Sequence, residues 1–200
     1  MKKALVALAL VSSLALSACG RVGSAVTMEG SSIPETKVQA SIDAILSERG
    51  GVDTSQMQLA TGAELNRAQV RFYILSSIFE GMAKELKIKV TPTELLTRKQ
   101  DIYSQIGGES QLPAALVNAQ IAQKDFDSYL RVTIISDKLT QGLIASGVAE
   151  ADAGTKLGEL VLKKAQALNI EVNPKYGKWD GNVGDVIESD VAKSAVTTIK

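Results

Sequence analysis

Thiol chemistry in this chain is confined to one residue, Cys19, and imidazole chemistry is absent, because none of the 200 residues is histidine. Cys19 stands in Leu16-Ser17-Ala18-Cys19-Gly20, behind a mostly apolar stretch from Ala4 to Leu16 that Lys2 and Lys3 precede. Small residues just before a cysteine fit a signal peptidase that cleaves there and leaves a diacylglyceryl thioether on the sulfur. The predicted chemistry of Cys19 is therefore lipid attachment. With that thiol consumed, no cysteine is left for a disulfide, a thiolate nucleophile or a structural zinc site. Histidine is the usual general base near neutral pH and the commonest transition-metal ligand, so its absence excludes Ser-His-Asp, Cys-His and His-zinc chemistry.

An enzyme would have to use a carboxylate pair, a Ser-Lys dyad or a hard-cation site, and none of these has a recognisable spacing. Asp125 with Asp127, and Asp180 with Asp185, are possible hard-cation ligands. They lack the loop spacing of a calcium site, so helix capping and solvation account for them better. Gly50-Gly51 and Gly107-Gly108 lack the lysine and hydroxyl that follow the glycines of a phosphate loop, and they read as helix stops. No catalytic, cofactor-binding or metal-ligating residue is assigned, no cofactor is expected, and Cys19 is the single site residue.

The segment around Cys19 resembles the bacterial lipobox. The charge-then-apolar layout before it is that of a secretory signal, and the run is shorter than the ~20 apolar residues that span a bilayer. An ordinary export signal cut at an A-x-A-like site is the plainer alternative, and an uncleaved anchor helix would need a longer run. Each buried methylene of an acyl chain contributes about 0.8 kcal/mol, so two or three chains hold a protein at the bilayer. The expectation is a signal peptide over 1–18, a lipidated tether over 19–23 and a mature protein on the extracytoplasmic face of a membrane. Removal of 1–18 takes two lysines and no acid, which leaves 182 residues with 20 basic and 22 acidic side chains, a net charge of about −2. That balance carries no footprint for nucleic acid and no polybasic patch for anionic lipid.

The remaining chain reads as mainly helical, opened and closed by short extended segments. Ser24 to Met28 predicts a strand, Glu29-Gly30-Ser31-Ser32 a turn, and Ile33 a return strand or the start of a helix, with Pro34 in its first turn. Val38, Ile42, Ile45 and Leu46 recur at helical spacing and Gly50 follows as a stop. Residues 51–60 are polar and aperiodic, which predicts an exposed, mobile loop. Thr61-Gly62-Ala63-Glu64 has the pattern of a capping box, and Leu65, Phe72, Leu75, Phe79, Met82 and Leu86 follow at helical spacing. Thr91-Pro92-Thr93-Glu94 repeats the device before Leu95, Ile102, Tyr103 and Ile106. A brief helix over 110–118, a longer one over about 123–144 burying Phe126, Leu130, Ile134, Leu139 and Leu143, and a last one over about 151–168 complete the helical set. Ile170 to Val172 reads as an edge strand closed by Pro174, and residues 181–200 as a loosely ordered tail.

Three stretches together resemble a known domain: Ser24-Ala25-Val26-Thr27-Met28-Glu29-Gly30, Lys87-Ile88-Lys89-Val90-Thr91-Pro92-Thr93-Glu94, and Lys124-Asp125-Phe126-Asp127-Ser128-Tyr129-Leu130-Arg131. Their order is similar to that in the N-terminal chaperone domain of SurA and PrsA-type foldases. The ending from Ile170 to Trp179 is similar to that of actinobacterial lipoproteins with this domain, and the likeness covers about 24–180. Met28-Glu29-Gly30 stands where such families usually write Val-Asn-Gly. The resemblance implies a SurA N-like helical frame, with a short N-terminal hairpin or strand paired to a C-terminal strand. It also implies client binding in a cleft between helices and an edge strand. Those foldases insert a parvulin domain before the last helix; Leu143 to Gly154 leaves no room for one, and the histidines of that domain are missing.

The Phe72-Phe79-Met82 stripe reads as core rather than client cradle, and Tyr176 with Trp179 as a clasp holding the last strand against the first. The expected function is a lipid-anchored chaperone or adaptor for unfolded, exported polypeptides, without prolyl isomerase activity. The alternative is a structural or accessory envelope lipoprotein with one dedicated folded partner, and an enzyme ranks third.

Overall fold

The structure, a computed structural model, describes residues 23–189. Cys19, the export segment and the last part of the expected tail, 190–200, lie outside the described residues. Six α-helices dominate the described part: α1 (Glu35–Arg49), α2 (Gly62–Glu85), α3 (Pro92–Ile106), α4 (Leu112–Ala119), α5 (Phe126–Ala145) and α6 (Glu150–Ala167). The strands are β1 (Ser24–Met28), β2 (Ser31–Pro34), β3 (Glu171–Val172), β4 (Lys178–Asp180) and β5 (Asp185–Ile187). The mainly helical expectation holds.

β1 is the centre of a three-stranded antiparallel sheet of order β2-β1-β3. On one side the turn at Glu29-Gly30, with Gly30 at φ +75°, returns the chain so that Met28 faces Ser31. This turn is tighter than the one expected, because Ser31 and Ser32 are already strand. On the other side Val26 pairs with Val172, and the Asn173 N–H donates to the Ala25 carbonyl at 2.8 Å. The strand that follows the last helix and the first strand are thus stitched together, as the paired-strand expectation required. Ala25 and Val26 are fully buried beneath α1, where Val38, Ile42 and Ile45 form the apolar face.

Helix boundaries follow local chemistry, with some departures. At α3 the Thr91 side chain accepts from the Glu94 N–H and the Glu94 carboxylate accepts from the Thr91 N–H, a complete capping box, and Gly107 ends the helix at φ +88°. At α2 the Thr61 hydroxyl makes no capping bond, so the predicted capping box there does not form. Pro34 is extended and precedes the first turn of α1, and Gly50 closes that helix with right-handed φ of −68°. The buried stripe of α2 is Leu65, Val70, Tyr73, Ile74, Ile78 and Met82; Phe72, Leu75 and Phe79 sit half-buried on its flank and Leu86 is exposed. The 3.6-residue period admits either neighbouring set, and packing against α1, α5 and the sheet selects the first.

Two apolar clusters result. The larger joins β1, β2, α1, α2, α6, the second half of α5 and the terminal strands, with Ile45, Leu65, Ile74, Ile78 and Ile135 among its fully buried side chains. The smaller consists of Leu112, Leu116, Phe126 and Leu130, against which Leu95, Ile102, Tyr103 and Ile106 are half-buried. α3 itself buries no residue fully. α5 belongs to both clusters, and residues 146–149 alone connect it to α6.

Within 181–189 the expected loose tail is corrected. β4 and β5 form an antiparallel hairpin in which Trp179 faces Val186, and Val186 is 4% exposed in the large cluster. Gly177, at φ +126°, makes the close approach possible: a Cβ there would collide with the Ile187 carbonyl. Tyr176 is buried and Trp179 half-buried in the same cluster, so the aromatic pair holds the C-terminal strands to the core. No helix among the described residues is long and apolar enough to cross a membrane.

Candidate functional site

A groove of about 290 Å³ runs between α2 and the segment 119–129 that leads from α4 into α5. Ala68, Phe72 and Leu75 supply one wall at helical spacing, and Ile121, Ala122 and Tyr129 supply the other. The Phe72 ring meets Tyr73 edge to face at 5.1 Å between centroids, which fixes its orientation on the wall. The stripe read as core is therefore divided: Met82 is core, while Phe72 is half-buried and faces the groove.

Polar residues brace this groove from behind. Asp125, 6% exposed, accepts from the Ser41 hydroxyl on one carboxylate oxygen and from the Tyr73 hydroxyl at 2.9 Å on the other. Ser41 also lies 3.3 Å from the Gln69 carbonyl oxygen, and the Gln69 amide donates to the Gln120 backbone carbonyl at 2.9 Å. Gln120 adopts a left-handed φ of 57°, costly for a residue with a side chain. It is held there at both ends, since its side-chain oxygen accepts from the Ala60 N–H at 3.0 Å. The Glu48 carboxylate accepts from the Gln123 N–H at 3.1 Å. The α4–α5 connection is thereby tied to α1 and α2 by these hydrogen bonds as well as by Ala122, which is fully buried in the large cluster.

The electrostatics follow from burial. Tyr73 is pushed up to about 12, first by desolvation and then by the negative charge of Asp125. Lys37 sits over the Tyr73 ring, 4.7 Å from its centroid. Lys124 approaches Asp125 to 3.7 Å. Arg71, at the groove, is 3.4 Å from Asp185 of the terminal hairpin.

Several expected placements change. Asp125 neither caps α5 nor is solvated, because both its oxygens are taken by hydroxyls of α1 and α2. Asp127 is exposed and pairs with Lys99 at 2.9 Å, in keeping with a solvated role. Asp180 accepts from the Asn182 N–H in the β4–β5 turn, and Asp185 accepts from the Val186 N–H and meets Arg71. The structure does not bring the two carboxylate pairs together as one site; among the described residues no group of three potential ligands could hold a metal ion. Half of the 51–60 loop is exposed, and its end is fastened, since Arg49 donates to the Ala60 carbonyl at 2.8 Å. The residues that sequence reading missed are Ser41, Gln69, Tyr73 and Gln120. Ser41 and Gln69 carried a signal, a polar side chain on an otherwise apolar helical face.

Comparison with known proteins gives no matching family model, no matching curated protein and no matching solved structure.

Proposed function

We propose that the protein is an exported lipoprotein, held at the extracytoplasmic face of a membrane through Cys19, that binds unfolded polypeptides in a SurA N-like helical frame without prolyl isomerase activity. The observation that carries this reading is the apolar-walled groove between α2 and 119–129, open on a mainly helical body whose terminal strands close on each other. Its walls are Phe72, Leu75, Ile121 and Tyr129, side chains that gain from covering apolar client surface. The connection over 146–149 has no space for an inserted isomerase domain.

A competing reading, an accessory lipoprotein for one folded partner, draws on the groove's size: about 290 Å³ is at the lower edge of the roughly 300–1,000 Å³ common for ligand sites. The experiment that separates the two uses the Cys19→Ser protein, which should leave the washed membrane fraction. Mixed with a thermally unfolding model client, it should lower light scattering in proportion to its concentration. Unchanged aggregation at molar excess, with circular dichroism reporting a folded helical protein, favours the single-partner reading. Retention of Cys19→Ser in membranes removes the lipid anchor from the proposal.

A further inference from the structure

The groove holds a negative charge that the chain itself does not fully pair. Resting on the polypeptide-binding reading above, we propose that it selects unfolded segments in which a lysine or arginine stands beside an apolar residue. Asp125 lines the groove and is buried. A carboxylate has about four acceptor positions, and the Ser41 and Tyr73 hydroxyls fill two of them. Of the cations at hand, Lys37 sits over the Tyr73 ring and only Lys124 forms an ion pair with Asp125, without a hydrogen bond. Lys124 stands 3.7 Å from Asp125, beyond hydrogen-bond length, and Arg71 is directed to Asp185. Gln69 has its oxygen on Ser41 and its amide on Gln120, so it does not supply the missing donor.

An entering segment therefore meets apolar walls together with a desolvated anion. The Asp125 ion pair with Lys124 is longer than a hydrogen bond, so a second cation that closes to hydrogen-bond length beside this buried charge gains energy. Lysine and arginine suit the place because their methylene stems lie along apolar surface while the charged end reaches a polar group. Phe72 and Tyr129 line the two walls, and aromatic side chains of this kind can also attract a cation. The volume of about 290 Å³ suits one such stem and an adjacent apolar side chain. Because the anion is sheltered, the preference should persist in moderate salt.

The test measures fluorescence anisotropy of the soluble Cys19→Ser protein with labelled unstructured peptides that differ at one position: lysine, norleucine or glutamate beside a leucine pair. The lysine peptide should bind about tenfold more tightly than the norleucine peptide, the scale of one charge-assisted hydrogen bond, and the glutamate peptide most weakly. Asp125→Asn should abolish the preference while norleucine binding persists. Lys124→Gln, which removes a competing cation and leaves the network intact, should strengthen lysine binding, and this variant serves if Asp125→Asn does not fold. Ala68→Trp should fill the groove and weaken all three. Equal affinity for the three peptides, or a preference that survives in Asp125→Asn, overturns the selectivity and leaves polypeptide binding standing. Competition by a simple alkylammonium ion at the peptide's own affinity would make the occupant a small amine and also overturn it. Absence of any peptide binding, with unchanged client aggregation, removes both readings.

Discussion

The two apolar clusters are assembled in different ways. The larger one is closed by partners far apart in the chain, β1 against β3 and the β4–β5 hairpin against α2, and it contains most of the fully buried side chains. The smaller one is built from Leu95 to Leu130, by a continuous run of helices whose side chains are largely half-buried. Between them, Asp125 and its hydroxyl donors form a polar seam, and the groove opens at that seam. The groove therefore has one wall, α2, that belongs to the large cluster and a second, 119–129, that is shared, with Ala122 in the large cluster and Phe126 in the small one.

The largest loss of stability is expected in the large cluster. Ile74 is fully buried, and Ile74→Ala should cost about 2–5 kcal/mol. Denaturant unfolding should report this as a loss for the whole molecule, with amide hydrogen exchange accelerated in both clusters. A change confined to α2 would show that the clusters do not share one cooperative unit. Leu116→Ala, in the small cluster, should cost about 2 kcal/mol, the low end of the same range, because the half-exposed side chains around it can close the void. Exchange should rise in α3 and α4 and stay nearly unchanged in the β1–β3 pair.

The seam is probed by Tyr73→Phe, which removes one donor from Asp125 and should cost about 1.5 kcal/mol, as for other bonds to charged groups. Tyr73 is raised from 10.0 to about 12, so its contribution is fully present below pH 10 and is lost as pH rises through about 12. The phenolate absorbance of wild type should include a tyrosine titrating near pH 12, and Tyr73→Phe should lack that step while Tyr103, also raised by desolvation, still titrates above its ordinary value.

The smallest effect belongs to the exposed cap of α3. Thr91→Ala should cost about 1 kcal/mol and fray the first turn. Glu94 is lowered from 4.5 to about 2, chiefly by its bond to Lys138 and then by the Thr91 N–H. A depressed carboxylate contributes stability above its unfolded value, so the cap should hold above pH 4.5 and be lost as pH falls toward 2. Circular dichroism across that window should show an earlier helical loss in Thr91→Ala.

The helices were legible because their apolar period and punctuation agree. Thr91-Pro92-Thr93-Glu94 and Gly107 each act locally, and the structure uses both as the residue types dictate. Thr61-Gly62-Ala63-Glu64 has the same letters and forms no cap bond, since a pattern of types does not fix the hydroxyl's direction. The face of α2 was ambiguous for a related reason: Phe72 and Tyr73 are adjacent, and only the packing of α1 and α5 decides which one turns inward. The β4–β5 hairpin escaped notice because its strands are three residues each, too short for a period, and its closeness depends on Gly177 meeting a carbonyl ten residues later. The Asp125 network was hidden because Ser41, Tyr73 and Asp125 come from three separate elements. A carboxylate near a helix start is usually a cap, and only tertiary contact makes it otherwise.

The central place of β1 governs the order in which the chain can be completed. β1 and β2 are joined by a tight turn and can pair as soon as both exist, whereas β3 is nearly the whole described chain away. Until β3 arrives, the second edge of β1 presents unpaired N–H and carbonyl groups, a template for a strand from another molecule. Contacts of such large sequence separation form late, after the helical segments between them have collapsed. Maturation therefore has a vulnerable interval that ends only when Glu171 and Val172 take their places. A chain truncated before those residues should keep its helices, expose that edge and self-associate.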